Sequence, residues 1–271
     1  MTLVSTNWLN ENLNKVKIID ASWHLVKSRN AIEEYNKEHI ENAIFFDLDK
    51  NSNREKYLPH GHFLPSLNDH EKSVSTMGIL NTDRVIIYCY SDLISSCRAW
   101  FQFLYFGHDP KLVSVLNGGM KKWKLEGRKV TNLKTKIIPS KYKAMENKNM
   151  IKIKSQIAEN IKTKKFTVLD ARSKNRFLGL EAEPRPGVKS GSIKESRSMP
   201  LSEIVNVKDN TFLDTKKLRD IFNSSGISSD KIVMSCGSSV SAASLALAYS
   251  IINDDYTPKI YIGSWTEFGK K

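Results

Sequence analysis

A cysteine stands between an apolar, β-rich run and a segment of small residues. Ile232–Ser235 runs directly into Cys236, and Gly237-Ser238-Ser239-Val240-Ser241 leads into a helix-forming stretch that starts at Ala242. A short loop between a buried strand and a helix turns backbone N–H groups and the positive helix end toward one point. Both features stabilise a thiolate, so the pattern predicts that Cys236 is a nucleophile.

The residues around Cys236 restrict the chemistry it can perform. In a phosphatase loop, five residues separate the catalytic cysteine from an arginine that binds the phosphate. Counted from Cys236, that position is residue 242, which is alanine, so phosphatase chemistry is excluded. Gly237 and Ser238 are neutral, which favours a sulfur donor of lower charge than thiosulfate. Arg176 and Arg185 are nine positions apart in a loop that contains Pro and Gly, and they are able to bind one carboxylate through bidentate contacts. A solvated surface loop explains the same two arginines equally well.

The chain repeats one sequence unit. Ile18–Ser22 matches Val168–Arg172, and the run from Gly78 to Cys89 matches the run from Gly226 to Cys236. The matched pieces keep their order along the chain, which indicates duplication of a whole domain.

Short apolar runs alternate with helical patterns in both copies, and this alternation predicts an α/β fold with a mostly parallel sheet flanked by helices in each. The predicted strands are Lys17–Asp20, Val85–Cys89, Thr167–Asp170 and Lys231–Cys236, and the clearest helices are Ser96–Phe106 and Val240–Ile252. We predict a non-catalytic domain at residues 1–130, a Lys- and Asn-rich linker at 131–149 and a catalytic domain at 150–271.

Composition argues against several other classes of protein. The 271 residues carry a net charge of +13, but 32 of the 42 basic residues are scattered lysines, so we expect no nucleic-acid partner. Cys89, Cys97 and Cys236 form neither a disulfide framework nor a zinc-binding pattern, so we expect a reducing compartment, no metal and no cofactor. Met1–Lys15 lacks the apolar stretch of a signal peptide, and Ala242–Ile252 is too short to span a membrane. A cytoplasmic protein with no membrane partner is the expectation.

At the level of its motifs the chain resembles the two-domain rhodanese-type sulfurtransferases, and most closely their 3-mercaptopyruvate branch. The resemblance runs from Val4 to Gly269 in family order. Its pieces are Asp20-Ala21-Ser22-Trp23, His39-Ile40, Phe45-Phe46-Asp47-Leu48-Asp49, Phe106-Gly107-His108, Gly118-Gly119 with Trp123, Asp170-Ala171-Arg172, Glu183-Pro184-Arg185-Pro186-Gly187, Cys236-Gly237-Ser238 and Gly263-Ser264-Trp265-Thr266-Glu267.

This resemblance implies a mechanism. Cys236 takes sulfur from 3-mercaptopyruvate as a persulfide, pyruvate leaves, and an acceptor such as thioredoxin, a small thiol or cyanide removes the sulfur. Arg176 and Arg185 match the residues that hold the donor, and the loop positions Gly237, Ser239, Val240 and Ser241 are expected to bind it too.

The resemblance also implies a catalytic Ser–His–Asp set. Ser238 and Asp49 match two of its members. Two histidines compete for the third position, because the chain has two extra residues there: His60 keeps the spacing from Asp49, and His62 keeps the context before Phe63-Leu64-Pro65. We favour His60.

Some positions depart from the family pattern and leave alternatives open. Ser239 replaces a loop glycine, which makes a positive φ harder to adopt. Cys89 occupies the position in the first copy that corresponds to Cys236, and we interpret it as a thiol at a strand end. A thiosulfate sulfurtransferase is one alternative function. A degenerate rhodanese that acts as a sulfur-relay or binding module is the other.

Overall fold

The chain folds into two compact units. The computed structural model describes residues 2–26, 28–53, 61–225 and 231–270. Unit 1 comprises residues 1–52, 65–147 and 206–212, and unit 2 comprises residues 53–64, 148–205 and 213–271. Each unit therefore includes one short segment from the opposite half of the sequence. The bounds 1–130, 131–149 and 150–271 remain a sequence-based prediction.

Unit 1 is built around one parallel sheet. Its strands are β1 (Leu3–Val4), β2 (Lys17–Asp20), β3 (Ala43–Phe45), β4 (Val85–Tyr88) and β5 (Val113–Leu116), and its helices are α1 (Thr6–Asn12), α2 (Ala31–Lys37), α3 (Leu67–Thr76), α4 (Ser96–Tyr105) and α5 (Gly119–Leu125). The strand order is β1-β5-β4-β2-β3, and every neighbouring pair is parallel. Ser5 and Ser66 cap α1 and α3 through their hydroxyls.

Unit 2 repeats this architecture. Its elements follow a 3-10 turn at Lys148–Met150 and are β6 (Ile151–Lys152), α6 (Lys154–Thr163), β7 (Thr167–Asp170), α7 (Lys174–Leu178), β8 (Arg197–Ser198), α8 (Leu201–Ile204), α9 (Thr215–Ser224), β11 (Ile232–Ser235), α10 (Ala242–Asn253), β12 (Lys259–Tyr261) and α11 (Ser264–Phe268). Between α8 and α9 the chain forms the paired strands β9 (Val205–Asn206) and β10 (Thr211–Phe212), and residues 206–212 of this stretch belong to unit 1. The strand order of its main sheet is β6-β12-β11-β7-β8, again all parallel. The predicted α/β fold with two duplicated domains is confirmed.

The middle strand of each sheet is buried along its whole length. All four residues of β4 and all four of β11 are buried, because helices cover both faces of each sheet. The helices that follow them, α4 and α10, are almost entirely buried as well. The residue that follows the middle strand is a cysteine in both units, Cys89 after β4 and Cys236 after β11.

The stretch interpreted as a linker makes specific contacts within unit 1. The hydroxyl of Ser140 donates to the carbonyl of Ile79, and the N–H of Tyr142 donates to the hydroxyl of Ser75 at 3.0 Å. The Tyr142 side chain is buried. Along the described stretches of the chain, none of the helices combines the length and apolar character needed to cross a bilayer.

Candidate active site

Cys236 lies at the carboxyl end of the middle strand of unit 2. Cys236 is 2% exposed, and it is the first residue of a loop that ends where α10 begins. Ligands of open parallel sheets bind beyond the carboxyl ends of the strands, so this is the position that the fold favours for chemistry. The helix begins at Ala242, two residues later than expected, because Val240 and Ser241 belong to the loop.

Two loop carbonyls are held by the start of α11. The N–H of Trp265 donates to the carbonyl of Cys236 at 2.9 Å. The N–H and hydroxyl of Thr266 donate to the carbonyl of Gly237 at 2.9 Å and 2.6 Å. Because the N–H of a trans peptide points opposite to its C=O, these contacts turn the N–H groups of Gly237 and Ser238 away from α11. Thr266 is not among the site residues predicted from the sequence.

Ser264 organises the other side of the loop. Its hydroxyl accepts from the N–H groups of Cys236 at 3.3 Å and Ser239 at 3.1 Å, and it donates to the carbonyl of Tyr261 at 2.9 Å. Among the described residues, the N–H groups of Gly237, Ser238, Val240 and Ser241 have no protein acceptor. They form the part of the loop that is able to stabilise a negative charge on sulfur.

Ser239 adopts the conformation that its side chain disfavours. Its φ is +64°, in the left-handed region where glycine is the usual residue. The residue makes two hydrogen bonds in this conformation, one through its side chain and one through its backbone. Its hydroxyl donates to the carbonyl of His62 at 3.3 Å, and the backbone N–H is the one that Ser264 accepts. The loop therefore keeps its bend without the glycine that the family pattern has.

Arg176 and Arg185 converge on Gly237. A methyl group placed on the Cα of Gly237 would lie 2.8 Å from Nη1 of Arg185 and 3.2 Å from Nη2 of Arg176. A side chain at this position would push Nη1 of Arg185 aside and crowd Nη2 of Arg176, so glycine leaves room for both guanidinium groups beside the loop. The interpretation of this segment as a solvated surface loop does not fit Arg185, which is 8% exposed.

Glu183 holds Arg176 in this position, although it is not among the site residues predicted from the sequence. Its carboxylate accepts from Nε and Nη2 of Arg176 at 3.1 Å and 2.6 Å, and from Nη1 of Arg172 at 2.7 Å. Asp170 in turn pairs with Arg172, with the closest contact at 2.7 Å. In the sequence, the alternating negative, positive and negative charges of Asp170, Arg172 and Glu183 are the signal from which this network is predictable.

Ser238 contacts a histidine and an arginine of unit 2. Its hydroxyl accepts from Nη2 of Arg185 at 2.7 Å, and it lies 3.0 Å from Nδ1 of His62, whose side chain is buried. Because an arginine only donates, the Ser238 oxygen must accept from Arg185, and its own proton is available to His62. His60 lies outside the described residues.

Asp49 belongs to unit 1. Within that unit its carboxylate accepts from the indole N–H of Trp23 at 3.1 Å. Its assignment to the Ser–His–Asp set remains a prediction from the resemblance.

Cys89 contrasts with Cys236, although it ends the corresponding strand. Burial raises the pKa of the Cys89 thiol, which donates to the hydroxyl of Ser96 at 3.3 Å. Six residues separate Cys89 from α4, one more than separate Cys236 from α10. Cys97 is buried inside α4.

A cavity of about 430 Å³ at the opposite end of the unit 2 strands contains none of the predicted site residues.

Comparisons with known proteins agree with this geometry. The Rhodanese-like domain matches the chain twice, at residues 5–126 and 154–271. Thiosulfate/3-mercaptopyruvate sulfurtransferase 1, mitochondrial, of Arabidopsis thaliana is 35% identical over 98% of this chain and 75% of its own length. Thiosulfate sulfurtransferase of Mus musculus is 34% identical over 99% of this chain and 92% of its own.

A solved structure gives the same picture. The 3-mercaptopyruvate sulfurtransferase SseA from Escherichia coli superposes with a TM-score of 0.85 at 28% identity, covering 98% of this chain and 99% of that one. Two matched domains, and relatives that align with 98% and 99% of this chain, lead to one conclusion: the chain belongs to the two-domain rhodanese family of sulfurtransferases.

Proposed function

We propose that this sulfurtransferase takes its sulfur from 3-mercaptopyruvate and carries it on Cys236. The observation that supports this donor is the convergence of Arg176 and Arg185 over Gly237, the residue next to the cysteine. Guanidinium groups recognise a planar carboxylate through paired hydrogen bonds. A 2-oxo acid presents such a carboxylate with a keto oxygen beside it, whereas thiosulfate has neither.

The first half-reaction breaks a carbon–sulfur bond. The Cys236 thiolate attacks the sulfur of 3-mercaptopyruvate and forms an S–S bond, while the electron pair of the C–S bond moves to carbon 3. The resulting enolate of pyruvate is stabilised by positive charge near its oxygens, which the arginines supply. Protonation of carbon 3 then gives pyruvate, and Cys236 is left as a persulfide.

Ser238 and His62 are positioned to move the proton that this step needs. The Ser238 hydroxyl lies 3.0 Å from Nδ1 of His62, and Arg185 donates to the same oxygen. We assign the histidine role to His62 on this contact. Ser238 passes the proton of the donor thiol toward the enolate, with His62 as the exchanging base. We retain Asp49 as the third member of the set.

The second half-reaction returns the cysteine to its starting state. An acceptor thiolate attacks the outer sulfur of the persulfide, so one S–S bond forms while the bond to Cys236 breaks. We propose thioredoxin or a small thiol as the acceptor, and we retain a cytoplasmic location as a prediction.

The decisive experiment compares two donors. Pyruvate release from 3-mercaptopyruvate is measured beside sulfur transfer from thiosulfate to cyanide, with Cys236→Ser as the inactive variant and Cys97→Ser as its matched control. We expect faster turnover of 3-mercaptopyruvate, and one added sulfur atom on Cys236 by mass spectrometry. Preference for thiosulfate would replace the proposed donor. A wild type that uses neither donor would favour the sulfur-relay module.

A further inference from the structure

The two units hold the carbonyl group of their strand-end cysteine in the same way. In unit 1 the N–H of Met120 donates to the carbonyl of Cys89 at 3.0 Å, and in unit 2 the N–H of Trp265 donates to the carbonyl of Cys236 at 2.9 Å. Each donor is the second residue of its helix, α5 in unit 1 and α11 in unit 2. The first residues of these two helices therefore occupy matching positions.

These first residues, Gly119 and Ser264, share a left-handed backbone conformation. Gly119 has a φ of +53° and Ser264 has a φ of +50°. Glycine adopts this region readily, whereas the Cβ of any other residue disfavours it. A Cβ placed on Gly119 would overlap the carbonyl oxygen of Cys89, so the turn in unit 1 requires glycine. Unit 2 keeps the same conformation with a serine.

The hydroxyl of Ser264 makes three hydrogen bonds that glycine is unable to make. It accepts from the N–H groups of Cys236 at 3.3 Å and Ser239 at 3.1 Å, and it donates to the carbonyl of Tyr261 at 2.9 Å. Ser264 itself is fully buried. The two N–H groups are three residues apart in the cysteine loop, so one hydroxyl fixes the backbone at both ends of the intervening dipeptide.

We propose that Ser264 is a positioning residue for the sulfur-transfer step. Its hydroxyl binds two N–H groups of the loop and holds the shape in which those of Gly237 and Ser238, which have no protein acceptor among the described residues, are available to the negative charge on sulfur. A left-handed serine persists only where its surroundings impose it, and such residues cluster at active sites. The inference rests on the proposed role of Cys236 as the sulfur carrier.

Two variants separate the hydroxyl from the backbone conformation. Ser264→Ala removes the hydroxyl alone, whereas Ser264→Gly also removes the Cβ that disfavours a φ of +50°. The measurement is single-turnover release of pyruvate from 3-mercaptopyruvate without an acceptor, which isolates the step at Cys236. We expect both variants to be slower by about tenfold, the effect of one lost hydrogen bond.

Two further measurements distinguish positioning from support of the fold. The KM for 3-mercaptopyruvate should change by less than about twofold, because Arg176 and Arg185 still bind the carboxylate. Urea denaturation should find Ser264→Gly more stable than Ser264→Ala, although the two release pyruvate equally slowly, because only the alanine variant retains the disfavoured Cβ.

Ser75→Ala is the matched control. The hydroxyl of Ser75 also accepts a backbone N–H, that of Tyr142 at 3.0 Å, and both residues belong to unit 1. We expect this variant to lose stability and to release pyruvate at the rate of the wild type.

The outcomes are distinguishable from failure of the proposed function. Pyruvate release at the wild-type rate in Ser264→Gly would overturn the inference. Ser264→Gly carries the test alone if Ser264→Ala fails to fold, since unit 1 has glycine at the matching position. A wild type that releases no pyruvate would instead overturn the proposed donor. The same variants are then compared for release of sulfite from thiosulfate, so the role of Ser264 is tested with either donor.

Discussion

The Nδ1 atom of His62 lies 3.0 Å from the hydroxyl of Ser238, which also accepts a hydrogen bond from Arg185. This hydroxyl is therefore held from two sides, by a group that only donates and by one that is able to accept its proton. Its orientation next to the cysteine loop follows from these two contacts.

Replacing either member of the His62–Ser238 pair should slow turnover. We expect Ser238→Ala and His62→Gln each to lower kcat for pyruvate release by about a hundredfold, because the proton loses its relay. The measurement is kcat for pyruvate release in the wild type and in each variant. Ser250→Ala is the control, because Ser250 is equally buried but bonds Ala246 inside α10. Unchanged kcat in Ser238→Ala would reject the relay.

Arg185 should contribute geometry as well as charge. Arg185→Lys keeps the charge but loses the paired N–H groups, so we expect KM for 3-mercaptopyruvate to rise about tenfold, and further in Arg185→Met. Steady-state kinetics of pyruvate release measures both. Arg197→Met provides the control, because Arg197 is exposed on β8. A lysine variant with the KM of the wild type would show that charge alone is sufficient.

Because Ser239 has a positive φ, its replacement by glycine should destabilise the protein less than its replacement by alanine. Ser239→Ala loses the hydrogen bond to the carbonyl of His62 and keeps the Cβ that disfavours a φ of +64°. Ser239→Gly loses the same bond but removes the strain, so we expect the glycine variant to be more stable than the alanine variant by about 1 kcal/mol. Urea denaturation of both variants measures this difference. A more stable alanine variant would contradict the left-handed geometry.

The two strand-end cysteines should react differently with a thiol reagent. Burial raises the pKa of Cys89, so little of its thiolate is present at neutral pH. We expect a small alkylating agent at pH 7 to modify Cys236 first, as peptide mass mapping would record, and Cys89→Ser to retain wild-type activity. Faster modification of Cys89 would contradict this assignment.

His70 should make the fold sensitive to acid. Burial among aromatic side chains lowers its pKa from 6.5 to about 3, and its Nε2 has no hydrogen-bond partner within the described part of the chain. The unfolded chain takes up the proton first as the pH falls, so stability is lost from about pH 6.5 down to about pH 3. We expect a loss on the order of 3 kcal/mol by pH 4, with a shallower slope in His70→Asn. Urea denaturation over this pH range measures both, and parallel slopes would exclude His70.

Local sequence was sufficient for much of the fold and for the cysteine loop. The strands and helices adjoining Cys236 are continuous apolar or helix-forming runs, and their observed ends differ from prediction by no more than two residues. The bend at Ser239 was harder to predict, because only the surrounding contacts show how a serine is held at positive φ.

Contacts between distant residues account for what the sequence could not reveal. Ser264 reaches the loop across 25 to 28 residues, and His62 reaches Ser238 across 176. The spacing from Asp49 favours His60 as the histidine of the Ser–His–Asp set. The choice between His60 and His62 depends on the path of the backbone, which spacing alone does not give. Glu183 is recognisable in the sequence only as part of a matched motif, since its role depends on where Arg172 and Arg176 lie in the fold.

The anchoring of the cysteine loop by α11 has a consequence for protein synthesis. Cys236 leaves the ribosome before Ser264, Trp265 and Thr266, which hold its N–H, its carbonyl and the carbonyl of Gly237. A nascent chain that already contains every predicted donor-binding residue of unit 2 therefore still lacks the shape that turns those residues into a reactive centre. We therefore expect the cysteine loop to reach its folded shape only after α11 has been synthesised.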